Sequence, residues 1–187
     1  MRRITRTAAA AALLGLVAVI LQFGPAASAT SASCADAVTS APTGPASVSA
    51  TSTAYGKVLV VGSGAYAGCS LYLLTSDQLH SLTGAPFACS DNANALGAPC
   101  DSVLWPALLT EGAPIAGPGV NPTLLGTVTR SDLPGLPPVQ QVTYHGKPLY
   151  LFYGDAYITG LPYGSARIDG AGLATPWGVF NTIPPLP

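Results

Sequence analysis

Charged residues are scarce in this chain, and their scarcity excludes several classes of function. Only 8% of the 187 residues are charged, seven Lys and Arg against eight Asp and Glu. Three of the seven cations, Arg2, Arg3 and Arg6, lie at the extreme N-terminus, which leaves four cations against eight acids in the rest of the chain, a net charge of −4. Because there is no basic patch, we expect no nucleic-acid partner and only weak attraction to anionic lipid.

Histidines and long apolar runs are also few. A serine triad needs a histidine base, yet the chain has only His80 and His145, and it contains no Gly-x-Ser-x-Gly elbow. We therefore expect a non-catalytic protein, with an envelope hydrolase as the weakest alternative. Downstream of the N-terminal segment no stretch approaches the ~20 apolar residues of a membrane span, so we expect no transmembrane span in the mature chain.

The N-terminal segment has the three parts of a secretory signal peptide. The basic residues precede an apolar stretch from Ala8 to Leu21, and Ala27-Ser28-Ala29 supplies a small-residue cleavage site. We predict that residues 1–29 are removed, which leaves about 158 residues, enough for one domain. The product is expected to be secreted or to remain in the cell envelope.

Four cysteines in an exported chain predict two disulfides, for which three connectivities exist. We favour Cys89–Cys100, because the residues between them are rich in Asn, Asp, Gly and Pro, and Cys34–Cys69, which would hold the N-terminal segment. The spacings contain no C-x-x-C pair, so zinc is a weaker interpretation. Lipid attachment at Cys34 is a further alternative, although residues 31–33 lack the bulky aliphatic expected before an acylated cysteine.

Helical periodicity is nearly absent after the signal peptide, where 17 of the 18 prolines and 19 of the 21 glycines separate short β-rich runs, so the pattern predicts an all-β domain. Residues 30–54, rich in Ala, Ser, Thr and Pro, are predicted to be a flexible tail, and residues 55–187 the domain. His145-Gly146-Lys147 is predicted to form a turn, with Pro148 at the start of the next strand. The predicted strands are Lys57–Val61, Ser70–Leu74, Thr127–Thr129, Val139–Tyr144 and Leu149–Tyr153.

One short pattern occurs twice, in residues 71–77 and 149–155, and each copy is followed by a tryptophan, Trp105 or Trp177. The repetition predicts two degenerate β-meander repeats, about 56–110 and about 124–181, in one compact disulfide-stapled domain. Alternate residues of a strand share a face, and both faces of these strands are apolar, so we expect them to be central. The paired side chains are Tyr72 with Leu74, Tyr150 with Phe152, and Leu149 with Leu151.

Each copy ends in an aspartate, Asp77 or Asp155, beyond the predicted strand end. Aspartates at such positions commonly accept backbone N–H bonds in the following turn, which is the interpretation we favour. Alternatively, the two carboxylates come together and bind a cation or act as acid and base, with His80 as a third candidate ligand. The tryptophans are expected to anchor the core.

The pattern Tyr-x-[Phe/Trp/Tyr]-x-x-Asp resembles the family described as secreted repeats or predicted lipoproteins with a conserved Yx(FWY)xxD motif. Residues 150–155 match it fully, whereas Leu74 replaces the aromatic in the first copy. The stretch 124–150, the pair Cys89 and Cys100, and Trp105-Pro106 also resemble the family, so that the resemblance covers about residues 56–181. It implies a compact β-rich extracellular or envelope domain and brings no established activity.

These observations together predict an exported, non-catalytic binding or scaffold module. The expected partner is a cell-wall glycan or an envelope protein, and no cofactor is predicted. The alternative is a small-cofactor or metal-binding envelope protein, binding haem or an ion, that uses Asp77, His80 and Asp155.

Overall fold

The computed structural model describes residues 34–53, 56–90, 99–155, 173–175, 178–182 and 186. The predicted signal peptide, with its cleavage site near Ala29, lies outside the described residues, and so does Trp177. No helix among the described residues is long and apolar enough to cross a membrane.

The described residues form an all-β structure with one short helix, as the sequence predicts. The ten strands are β1 (Ser47–Thr53), β2 (Gly56–Val61), β3 (Tyr72–Leu74), β4 (Leu109–Thr110), β5 (Ile115–Ala116), β6 (Leu125–Arg130), β7 (Val139–Tyr144), β8 (Lys147–Pro148), β9 (Leu173–Thr175) and β10 (Gly178–Thr182), and the helix is α1 (Gln78–Thr83). Short 3₁₀ turns occupy Cys34–Asp36, Pro122–Leu124 and Tyr153–Asp155, and a π-helical turn occupies Cys100–Leu104.

The strands form three open sheets. Their strand orders are β2-β1-β5, β3-β10-β9 and β4-β7-β6, and β8 also pairs with β7. Strand β1 runs parallel to β5, and the other paired strands are antiparallel. Both favoured disulfides are present, Cys34–Cys69 and Cys89–Cys100, so the prediction of an all-β domain with two disulfides is confirmed.

The antiparallel meander of β6, β7 and β8 is close to the sequence prediction in β6, β7 and the turn that follows β7. Strand β7 has the predicted bounds, and Thr127–Thr129 lies within β6. His145 and Gly146 take left-handed conformations, with φ of 52° and 72°, and thereby reverse the chain between β7 and β8. Strand β8 is Lys147–Pro148, so the strand after this turn begins one residue earlier than the predicted start at Pro148.

The prediction that residues 30–54 form a flexible tail is wrong for β1, which lies in the middle of its sheet with Val48 fully buried. Its Ser, Thr and Ala residues carry little hydrophobic periodicity, so apolar patterning does not reveal the strand. Their small side chains instead allow close approach: a Cβ at Gly62 would lie 2.6 Å from Ser49 Oγ.

The predicted strand Leu149–Tyr153 is only partly regular. Tyr150 forms isolated antiparallel bridges to Tyr72 and to Ala107, and the chain then enters the 3₁₀ turn Tyr153–Asp155. This segment therefore joins two parts of the structure by single-residue bridges and does not extend one sheet as a long strand.

Two buried apolar clusters lie on opposite faces of these segments. The leucine core contains Leu71, Leu73, Leu149 and Leu151, and the aromatic core contains Tyr72, Leu74, Trp105 and Tyr150, with Phe152 packed against it. The predicted alternation of faces is therefore confirmed. The predicted central position is not, because β3 is the edge strand of the order β3-β10-β9 and residues 149–153 form only single-residue bridges. Each core also holds one disulfide, Cys34–Cys69 in the leucine core and Cys89–Cys100 in the aromatic core.

Candidate functional site

The two tyrosines of the repeated pattern are paired through their backbones. Tyr72 N donates to Tyr150 O, and Tyr150 N donates to Tyr72 O, both at 2.9 Å. Both side chains are fully buried. This pair brings together two segments that are almost eighty residues apart in sequence, by the roughly antiparallel geometry of a β-bridge.

The side chains of the two segments exchange partners. Tyr72 Oη donates to Asp155 Oδ2 at 2.6 Å, and Tyr150 Oη donates to Asp77 Oδ2 at 2.5 Å. Each tyrosine therefore bonds the aspartate of the other segment, and both aspartates are buried. We call these two reciprocal hydrogen bonds, Tyr72 to Asp155 and Tyr150 to Asp77, and the four residues that form them, the exchange pair. Hydrogen bonds to a charged acceptor are among the stronger ones in proteins, and these lie where water does not compete.

The prediction that Asp77 bonds the turn that follows it is wrong. Asp77 occupies the N-cap position of α1, but its side chain makes no capping bond, and its Oδ1 instead accepts from Ala88 N at 2.6 Å. Burial raises the pKa of this carboxyl above its ordinary value of 3.8, while the bonds from Tyr150 and Ala88 and the charge of Arg130 act in the opposite direction.

Arg130 is a completely buried cation that sequence reasoning did not single out. Its guanidinium lies 4.1 Å above the centroid of the Phe87 ring. The acceptors of its side chain are Gln141 Oε1 (2.6 Å), Tyr150 Oη (3.3 Å), Cys89 O (2.8 Å), Asp101 Oδ2 (2.9 Å) and both carboxylate oxygens of Asp132 (2.7 Å each). Burial alone would lower the pKa of Arg130, but the bond to Asp132 and the neighbouring acids raise it, so the side chain stays charged. Its position at the end of a predicted strand, in a chain with so few cations, was the available signal.

Asp101 connects Arg130 to the N-terminal segment. Its Oδ2 accepts from Arg130, and its Oδ1 accepts from Ala107 N at 2.9 Å. Thr39 Oγ1 lies 2.9 Å from the same Oδ1 and 2.7 Å from the backbone oxygen of Asp101. The buried carboxylate is therefore fully engaged, and the region predicted to be a tail supplies one of its partners.

The aromatic core closes over the exchange pair. Trp105, which is almost completely buried, stacks on Phe152 with ring centroids 4.3 Å apart, and Tyr72 meets Trp105 edge to face at 5.4 Å. Such geometries are favourable for aromatic pairs. The prediction that Trp105 anchors the core is confirmed; the same prediction for Trp177 falls outside the described residues.

His80 takes no part in a metal site with the two aspartates. Its ring stacks on Phe87 with centroids 3.8 Å apart, and its Nδ1 lies 2.5 Å from Ala85 O. Within the part of the chain that the structure describes, no group of three His, Cys, Asp or Glu side chains is placed to hold a metal ion. The predicted set Asp77, His80 and Asp155 therefore has no support from the described geometry.

The acidic and basic side chains at this centre neutralise and satisfy one another. Arg130 and Asp101 have fully buried side chains, and Asp132, 26% exposed, is the member of the ion cluster that reaches solvent. We call Arg130 with Asp101 and Asp132 the arginine cluster. A catalytic group has to reach a substrate, whereas Arg130 and Asp101 are enclosed by protein and all three groups are already hydrogen bonded. The arrangement is suited to joining chain segments.

The ionisation of Tyr150 predicts a loss of stability at alkaline pH. Burial and then the Asp77 carboxylate raise the pKa of Tyr150 well above its ordinary value of 10.0. Above pH 10 the unfolded chain therefore releases a proton that the folded chain retains, and the free energy of unfolding should fall by up to about 1.4 kcal/mol per pH unit. Denaturant unfolding from pH 9 to 12 should show this slope in the wild type and in Tyr153→Phe, and a shallower one in Tyr150→Phe. Equal slopes in all three proteins would contradict it.

The ring of Phe152 leaves no room for a side chain at Gly154. A Cβ at this position would lie 2.7 Å from Phe152 Cζ, so alanine has to displace the ring from its stack on Trp105. We expect Gly154→Ala to lower the free energy of unfolding by about 1–3 kcal/mol, as overpacking does. Gly44→Ala is the matched control, because nothing lies within 4 Å of the Cβ it adds. The same loss in both variants, measured by urea unfolding, would show that the ring is not the cause.

Comparison with protein-family models, curated proteins and solved structures gives no match to this chain. Its own residues and their geometry therefore carry the functional inference.

Proposed function

We propose that this chain is an exported, non-catalytic module of the cell envelope or extracellular space that binds or scaffolds another envelope component. One observation carries the proposal: the acid–base residues of the repeated pattern are buried and bonded to each other. Tyr72, Tyr150, Asp77 and Asp155 are each at most 2% exposed. Groups used to join two segments in this way are not available to a substrate.

We further propose that residues 56–110 and 124–181 are degenerate repeats related by an approximate two-fold axis between Tyr72 and Tyr150. The reciprocal backbone bonds and the reciprocal tyrosine–aspartate bonds support this relation, since each contact has a counterpart with the segments interchanged. The same contacts give a physical reason for a Yx(FWY)xxD pattern. They favour assignment of the chain to the secreted-repeat family that it resembles.

Export is supported by the two disulfides, which persist in oxidising compartments, and by the N-terminal pattern of residues 1–29. Mass spectrometry of protein from an exporting host tests it. We expect an N-terminus at Thr30 and no free thiols. Retention of residues 1–29 with reduced cysteines would contradict export. Lipid attachment would occupy the Cys34 sulfur, which the structure places in the disulfide with Cys69, so a diacylglycerol mass on an N-terminal Cys34 with a free Cys69 thiol would contradict that disulfide.

The partner surface proposed here is centred on Tyr153. This side chain is 45% exposed, and its ring packs edge to face on Phe152 at 5.4 Å, so it is supported by the aromatic core beneath it. Rigid aromatic rings with one accessible face are frequent in binding sites. Among the aromatic side chains whose exposure the structure describes, it is the one that is largely exposed.

Cosedimentation with insoluble cell-wall glycan tests this surface. We expect the wild type to bind and Tyr153→Ala to lose at least about tenfold in affinity, a typical loss for an aromatic anchor. Leu82→Ala is the matched control, since Leu82 is an exposed apolar side chain on α1. Absence of wild-type binding would exclude the glycan and direct the search to envelope proteins. Equal loss in both variants would contradict the placement at Tyr153.

A further inference from the structure

The Cys89–Cys100 disulfide joins the two chain segments that supply acceptors to one side of Arg130. Cys89 provides its backbone oxygen at 2.8 Å, and Asp101, the residue after Cys100, provides Oδ2 at 2.9 Å. Both bonds use the same nitrogen, Nη2. The disulfide therefore restrains the relative positions of two of the three acceptors of this nitrogen, the third being Asp132 Oδ2.

The exchange pair adds a second restraint at the same place. Asp77 Oδ1 accepts from Ala88 N, directly before Cys89, and Asp77 Oδ2 accepts from Tyr150, whose hydroxyl lies 3.3 Å from Arg130 Nη1. The segment that carries Cys89 is thus held by the disulfide, by Asp77 and by Arg130 together.

We infer that Cys89–Cys100 is a redox switch for the arginine cluster: its reduction releases the acceptors that Cys89 and Asp101 present, and the buried cation loses one side of its site. Both cysteines are fully buried, so the reaction requires a local opening of the domain first. A dithiol reductant then donates two electrons and two protons, converting the disulfide into two thiols while the reductant closes its own disulfide. A buried charge that loses partners is strongly destabilising, so the reduced domain opens at this cluster. The inference rests on the proposed export only for its biological setting, in which the oxidised, closed form is reached after export.

Cys34–Cys69 provides the internal comparison. It lies in the leucine core, and neither of its residues is among the hydrogen-bond partners of Arg130 in the described structure. Reduction of this disulfide should therefore reach the arginine cluster only indirectly, through Thr39, whose hydroxyl contacts Asp101, and so affect it less than reduction of Cys89–Cys100 does.

A double-mutant cycle tests the coupling. The effect of Arg130→Met on the folding equilibrium constant is measured by urea unfolding in three backgrounds: wild type, Cys89→Ala/Cys100→Ala and Cys34→Ala/Cys69→Ala. Without Cys89–Cys100, we expect the fold-change that Arg130→Met causes in the folding equilibrium constant to be at least about tenfold smaller than in the wild-type background. Without Cys34–Cys69, we expect this fold-change to stay within about twofold of the wild-type value. Equal effects in all three backgrounds overturn the inference.

A redox titration keeps the test decisive if a cysteine variant does not fold. Coupling is reciprocal, so weakening the arginine cluster must favour reduction of Cys89–Cys100. Asp132→Asn removes the charge of the partly exposed salt-bridge partner of Arg130 and keeps all four cysteines. With dithiothreitol and alkylation mass spectrometry, we expect the ratio of the reduction constants of Cys89–Cys100 and Cys34–Cys69 to rise about fivefold or more. An unchanged ratio overturns the inference, whatever the outcome of the export and glycan experiments.

Discussion

Arg130→Met is expected to lower the free energy of unfolding by about 3–5 kcal/mol, the range measured when one partner of a buried ion pair is removed. Methionine keeps an unbranched apolar stem but has no hydrogen-bond donor, so Asp101 Oδ2, Cys89 O and Gln141 Oε1 all lose the bond from the guanidinium. The Asp101 carboxylate then remains in a fully buried position without its cation. The loss of an ion and the loss of several bonds act in the same direction.

Urea unfolding followed by tryptophan fluorescence, with both disulfides intact, measures this loss. Lys57→Met is the matched control, because Lys57 is an exposed cation at the start of β2, where substitutions usually change stability by less than about 0.5 kcal/mol. If the free energy of unfolding of Arg130→Met stayed within about 1 kcal/mol of the wild-type value, the arginine cluster would not stabilise the fold.

Asp77→Ala is expected to cost about 2–4 kcal/mol. The substitution leaves two donors without their acceptor, the Tyr150 hydroxyl and Ala88 N, and each buried unsatisfied group costs about 1–3 kcal/mol. Part of this cost is offset, because the carboxyl itself no longer has to be buried, the same desolvation that raises its pKa. The net effect should therefore exceed that of losing a helix cap, about 0.5–2 kcal/mol.

Glu111→Ala is the control for Asp77→Ala, since it removes an exposed carboxylate. Thermal unfolding and urea unfolding should both rank Asp77→Ala far below Glu111→Ala and the wild type. A cost of only about 0.5 kcal/mol would show that other groups satisfy Tyr150 and Ala88 without Asp77.

Local patterns predicted much of the fold, because they depend on residues that are close in sequence. The bounds of β7 follow from its apolar and β-branched run, and the turn at His145 and Gly146 follows from residues that tolerate positive φ. The two apolar faces of residues 71–74 and 149–152 were also accessible, since alternation along a strand needs no knowledge of its neighbours.

The exchange pair could not be predicted in the same way. The spacing within each copy places Tyr72 five residues before Asp77, yet the bonds run from Tyr72 to Asp155 and from Tyr150 to Asp77. A single copy contains no sign of which aspartate its tyrosine will meet, because that depends on how the two segments pair. Turn geometry, which is local, therefore gave the wrong partner for Asp77.

Strand β1 and Arg130 were missed for a related reason. Strand β1 is recognisable by the small side chains that neighbouring segments pack against, and not by hydrophobicity. Burial of a charged residue such as Arg130 depends on partners distributed over the chain, at Cys89, Asp101 and Gln141. Neither property can be deduced from a short window of sequence.

The exchange of partners between the two segments is tested most directly by double-mutant cycles on the free energy of unfolding. One cycle combines Tyr72→Phe with Asp155→Ala, and the matched cycle combines Tyr72→Phe with Asp77→Ala, the aspartate in its own segment. We predict a coupling energy of about 1–3 kcal/mol for Tyr72 with Asp155, and within about 0.5 kcal/mol of zero for Tyr72 with Asp77. Strong coupling of Tyr72 with Asp77, and none with Asp155, would contradict the exchange.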